Sequence, residues 1–211
     1  MPLQNRVTPF GDIVAIPQRG LFTGNRGILH DPATKRLLSR RWATKAWITC
    51  LCEFRGVRRQ VMGGRSWTEL FFLDEATALA AGHRPCAECR REDYDQLLAI
   101  WRALHPGQVG ADAIDAQLHA ERLDPASNQR RLHRSPIAEL PDGAFVLEEG
   151  EPWLVLGADL RRWTPAGYLE RRPRRDESAA LVITPPSLLA VLRSGWTPLV
   201  PLLHPSATRG S

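Results

Sequence analysis

Hydrophobic positions come as short runs in the first part of the chain and as helical stripes further on. Residues 13–16 and 21–23 are apolar runs broken by Pro17 and Gly20, and Thr23-Gly24-Asn25-Arg26-Gly27 reads as a tight polar turn. A basic connection over 35–41 follows. Residues 46–54 carry the β-formers Trp47, Ile48, Thr49 and Phe54 and predict a strand, with turns at Gly56 and Gly63-Gly64 and a second strand over 69–73. Asp74 as a cap and Gly82 as a stop predict a helix over 75–81. Residues 91–104 form an amphipathic helix with the stripe Tyr94, Leu97, Leu98 and Trp101, ended by Pro106-Gly107; 111–123 is a third helix. A polar loop over 124–135 carries Arg130, Arg131, His133 and Arg134. Beyond it, 144–148, 152–156 and 181–184 read as strands, 171–175 as an exposed basic loop, and a closing helix runs between Thr184 and Gly195. The pattern predicts an α+β fold: a small sheet with helices in residues 1–123, then a smaller β-rich part in 136–211, separate or packed with the first as one domain.

Composition narrows the class. The 211 residues are 43% hydrophobic, enough for a buried core, and no apolar run approaches the roughly 20 residues that span a bilayer. Nothing near Met1 has the basic-then-apolar form of a secretory signal, so a cytoplasmic protein without membrane contact is expected. The net charge is +5, and all basic residues but Lys35 and Lys45 are arginine. Arginine suits phosphate and guanine contacts, so nucleic acid, DNA first, is the expected partner. A GC-rich coding bias explains the same composition. The candidate contact residues are Arg26, Arg40, Arg41, Arg58, Arg59 and Arg84.

The four cysteines form two close pairs. Cys86 and Cys89 have the C-x-x-C spacing that turns two sulfurs toward one ion, and Cys50 and Cys52 lie two apart on the predicted strand, so both side chains point to the same face. In a reducing compartment such pairs hold metal rather than disulfides, so Cys50, Cys52, Cys86 and Cys89 are expected to bind one structural zinc ion. His83 is an alternative ligand.

The string from Asp74 through the alanine-rich helix to Gly82-His83-Arg84-Pro85-Cys86-Ala87-Glu88-Cys89-Arg90 resembles the zinc-binding domain of the Ada family, bacterial proteins that repair methylphosphotriesters in DNA. The resemblance covers about residues 45–95. It implies the zinc architecture, with Cys50 and Cys52 in the place of the earlier cysteine pair, and action on damaged or modified DNA. It also implies that Cys50 stands where the family's methyl acceptor stands. The earlier pair here is closer together than the family's and no helix-turn-helix domain follows, so a closed structural site is expected, with stoichiometric methyl acceptance by Cys50 as the alternative.

A second polar constellation lies on the third helix. Asp112, Asp115, His119 and Arg122 are spaced three, four and three apart and so share one face. They could supply acid, base and phosphate clamp for a hydrolysis, or form the solvated side of an amphipathic helix. Asn5, Arg6, Asn25, Arg26, His30 and Asp31 make a looser N-terminal polar group, and Trp153, Trp163 and Tyr168 near Arg161 and Arg162 suit base stacking or a strand core. The expected function is therefore a zinc-containing DNA-binding protein that acts on damaged DNA, hydrolytic if catalytic; a non-enzymatic nucleic-acid module is the other alternative.

Overall fold

A computed structural model describes residues 1–56, 60–64, 66–174, 179–196 and 203–209. The fold is α+β. One sheet contains β1 (Gln4–Val7), β2 (Ile13–Ala15), β3 (Phe22–Asn25), β4 (Ile48–Leu51), β5 (Leu70–Phe72) and β6 (Arg84–Pro85), in the spatial order β2-β1-β5-β3-β4-β6. Helix α1 (Glu75–Ala80) lies between β5 and β6, and α2 (Arg91–Leu104) and α3 (Gly110–Arg122) follow. The other sheet contains β7 (His133–Pro136), β8 (Phe145–Glu148), β9 (Glu151–Leu156), β10 (Asp159–Thr164), β11 (Gly167–Pro173) and β12 (Ala179–Val182), ordered β11-β10-β9-β8-β12-β7. Helix α4 (Pro186–Arg193) packs on α2 and α3. Among the described residues, no helix is long and apolar enough to cross a membrane.

The alanine-rich α1 is the axle of the molecule. All six of its residues are buried, and an all-buried helix needs side chains small enough for its neighbours to close on it. Ala78, and Ala81 just past the helix end, pack against Phe22, Leu70 and Phe72 of the first sheet. Ala76 and Ala80 pack against Phe145, Leu154, Trp163 and Ile183 of the second sheet. Leu79 joins Leu97, Trp101, Ile114, Leu118 and Leu188 between the other helices. Asp74 caps α1 as expected, its Oδ1 accepting from Thr77 N at 2.8 Å. Its Oδ2 also accepts from Tyr168 Oη at 2.7 Å and His204 N at 3.1 Å, tying the helix start to the second sheet.

The first sheet has two unlike faces. Phe22, Thr49, Leu70 and Phe72 turn to the core, while the alternate residues Thr23, Asn25, Ile48, Cys50 and Phe71 are half-buried on the opposite side. The latter row is the floor of a cleft.

Several sequence expectations change, among them the end of the polar loop, where residues 133–135 lie in β7. Thr23-Gly24-Asn25 is strand, not turn: Gly24 serves close approach, because a Cβ there would lie 2.2 Å from the Ile48 carbonyl oxygen. Arg171 and Arg172 lie in edge strand β11 rather than in a loop, and charged side chains on an edge strand discourage pairing with another chain. Trp153, Trp163 and Tyr168 are buried in the second sheet's packing and offer no stacking platform to a base. Arg175 lies outside the described residues.

Candidate metal centre

The cysteine site is assembled by pairing between β4 and β6. The two strands run parallel, Ile48 opposite Arg84 and Thr49 opposite Pro85, and Cys86 N continues the ladder to Thr49 O at 2.9 Å. This sets Cys86 beside Cys50. The chain then turns through Ala87 and Glu88 into α2, with Arg90 N bonded to Cys86 O at 3.2 Å, and brings Cys89 to the same place. The sulfurs of Cys50, Cys86 and Cys89 all lie within 4.8 Å of one another. Three thiolates at bonding distance around a tetrahedral zinc would be about 3.8 Å apart, so the cluster fits a metal ion with little movement. These three cysteines could hold one.

Their protons behave as a crowded set. Hydrogen bonding with Cys86, then with Cys89, together with burial pushes the Cys50 thiol far up from the ordinary range, while the same contacts hold Cys86 far down. One sulfur carries the charge and its neighbour keeps a proton; a cation would take the place of the protons. The three sulfurs are not equivalent. Each sulfur interacts first with the other two; beyond that, Cys86 Sγ accepts from Glu88 N at 3.4 Å and Cys89 interacts with the backbone N–H of Leu51, whereas burial is the next influence on Cys50.

Two buried ion pairs clamp the cysteine turn. Before it, Arg84 forms a bidentate pair with Asp115 of α3, at 2.8 and 2.7 Å, with both side chains 6% exposed. After it, Arg90 pairs with Glu75 of α1 and with Asp93 of α2, at 2.8 Å for Asp93, and lies over the Phe22 ring. Both charges are desolvated, so each arginine depends on its carboxylate.

Cys52 does not join the group. The expectation that it shares a face with Cys50 required the strand to continue, but β4 ends at Leu51; Cys52 is exposed, with its Sγ 3.4 Å from Leu21 O. His83 is no ligand in this arrangement either. It is fully buried, and its Nε2 accepts from Arg26 Nε at 3.1 Å; burial, then the nearby Arg26 and Arg122, hold its pKa well below the ordinary value.

The candidate arginines divide sharply. Arg26 and Arg122 are fully buried on the Trp47 ring, their guanidinium carbons 3.7 and 3.9 Å from its centroid. Arg26 donates to Gly11 O at 2.9 Å, and Arg122 to Gly82 O at 3.0 Å and Lys45 O at 2.6 Å. Arg26 and Arg84 are therefore interior residues, correcting their expected place on a nucleic-acid surface. Arg40 is exposed, Arg41 pairs with Asp12, and Arg58 and Arg59 lie outside the described residues.

The polar row of α3 is not one solvated face. Asp112 is exposed and His119 is half-buried, edge-on to Trp42 with centroids 4.5 Å apart; Asp115 and Arg122 are inside. The periodicity was legible, but their partners, Arg84 and the carbonyls of Gly82 and Lys45, are remote in sequence.

A cleft of about 410 Å³ opens on the sulfurs. Its floor is the half-buried sheet row of Thr23, Asn25, Cys50 and Phe71, and Phe54 and Trp67 also line it. Glu69 lies at the far end of the floor, where its Oε2 accepts from Met62 N at 2.7 Å. This cleft had a sequence signal, the alternation of Phe22/Thr23/Gly24/Asn25, which the tight-turn reading obscured.

Fold and site together define an α+β protein with a three-cysteine cluster on the wall of a cleft. Comparisons with protein families, with curated proteins and with solved structures find no match.

Proposed function

We propose that the chain is a zinc-thiolate protein that accepts alkyl groups from damaged DNA, with Cys50 as the acceptor. One observation carries this reading. All three clustered sulfurs line the cleft, but Cys50 is the one carried by its sheet floor, and beyond its sulfur contacts burial rather than a backbone N–H is the next influence on it. Hydrogen bonds from N–H groups withdraw charge from sulfur, so the sulfur with fewest is the strongest nucleophile. The Ada-like string from Asp74 to Arg90 supports the same assignment.

Cys50, Cys86 and Cys89 would hold the ion, and bound zinc would keep the three sulfurs deprotonated together. The chain's own residues do the rest. The Arg84–Asp115 and Arg90–Glu75 pairs fix the turn that carries Cys86 and Cys89. The Cys50 sulfur directs an electron pair at the alkyl carbon, a carbon–sulfur bond forms, and the donor atom leaves with the electrons of the broken bond. The product is an S-alkyl cysteine, so each chain acts once. This places the reactive group in the cleft rather than on the α3 row, where Asp115 and Arg122 already have buried partners.

The test is incubation of the zinc-loaded chain with methylated duplex DNA, followed by peptide mass spectrometry. One methyl mass on the peptide carrying Cys50 is expected. An unmodified chain with full metal content would contradict the proposal.

A further inference from the structure

We propose that the cleft beside Cys50 is a subsite for a flat, positively charged N-alkylated heteroaromatic ring, such as an alkylated nucleobase turned out of its strand. The inference rests on the alkyl-acceptor reading and names the substrate class of that site.

Shape comes first. The cleft holds about 410 Å³, ample for a single base, and three aromatic side chains line it: Phe71 from the sheet row, and Phe54 and Trp67. Rings of this kind bind flat π-systems by stacking, whatever the base. A phosphate alone has no use for such walls.

Charge comes second. Among the described lining residues, Glu69 and Glu88 are acidic and Arg55 is basic. Three thiolates around a divalent cation add a further net negative charge. Arg55 lies over the Phe54 ring, 4.9 Å from its centroid, and Arg6 lies over Phe71 at 4.7 Å, so the preference for a cation rests on the carboxylates and the sulfur centre rather than on these ring faces. The Glu69 and Glu88 carboxylates and the sulfur centre favour a cation over its neutral counterpart.

Recognition atoms come third. Asn25 Oδ1 is occupied by Gly27 N at 3.2 Å, which orients the side-chain amide from the strand. Glu69 uses Oε2 for Met62 N, so the carboxylate is held in place as an acceptor for ring N–H donors. The chemistry then balances without a further reactant. As the Cys50 sulfur bonds to the alkyl carbon, the carbon–nitrogen bond breaks and its electron pair neutralises the ring nitrogen. The product ring is uncharged and loses the attraction that held it.

The experiment is calorimetric titration of the full zinc-loaded chain with 7-methylguanosine and, separately, guanosine. The cationic nucleoside should bind at least about tenfold more tightly. Glu69→Gln, which keeps an oxygen for Met62 N, should erase most of that preference, and Phe71→Leu should weaken both nucleosides. Equal binding of the two nucleosides, or binding of neither, would overturn the subsite, as would an unchanged preference in folded Glu69→Gln protein. Peptide mass spectrometry after reaction with methylated duplex separates the two claims. A methyl on Cys50 without nucleoside binding keeps the acceptor and removes the subsite; cation-selective binding without an adduct keeps the subsite and removes the acceptor.

Discussion

The sulfur cluster and the Arg26–Trp47–Arg122 stack lie on neighbouring parts of the same chain and gather polar chemistry in opposite ways. Cys50, three residues beyond Trp47, faces a cleft of about 410 Å³ with two further sulfurs within 4.8 Å. Arg26 and Arg122 are sealed against Trp47 and spend their donors on the carbonyls of Gly11, Gly82 and Lys45. Strand alternation makes the difference: Thr49 points to the core and Cys50 away from it. Concentrated polar groups are therefore poor guides to a site unless they also face a space that a ligand can enter.

The largest effect should come from the clamp that joins the two regions. Asp115→Ala leaves Arg84 buried without its carboxylate, and the expected loss is about 3–5 kcal/mol in urea unfolding, together with weaker metal retention. Arg122→Ala should cost about 3 kcal/mol through the cavity and the abandoned carbonyls of Gly82 and Lys45, yet leave metal content per folded chain unchanged. A variant that sheds metal while keeping its stability would invert the proposed division of labour.

Acidification sharpens the comparison further. His83 is buried neutral with its pKa held well below 6.5, so the unfolded chain takes up a proton that the folded chain refuses. Stability from this group is present above the ordinary histidine value and is lost as pH falls below it, with a slope of at most about 1.4 kcal/mol per pH unit. His83→Gln should flatten that part of the pH–stability curve, and an unchanged slope would show that His83 is not its source. The smallest effect is expected at Cys52. It is exposed and outside the three-sulfur group, so Cys52→Ser should leave metal content within error of the parent.

Much of the frame was legible along the chain. The cap at Asp74, the stop at Gly82 and the stripe of α2 follow local rules, and the structure places those helices where the pattern predicted. The C-x-x-C turn was equally plain. What stayed hidden depends on distant partners. Gly24 looked like a turn residue because its reason, the Ile48 carbonyl oxygen, lies on another strand. Asp115 looked solvent-facing because its partner Arg84 lies 31 residues earlier in sequence. The end of β4 at Leu51, which separates Cys52 from Cys50, has no local marker at all.

Peptide mass spectrometry of the zinc-loaded chain after incubation with methylated duplex DNA tests the central claim most directly. The account predicts one methyl group per chain, on Cys50, with Cys52 unmodified. A fully metal-loaded chain that stays unmethylated, or carries the methyl on another cysteine, would contradict it.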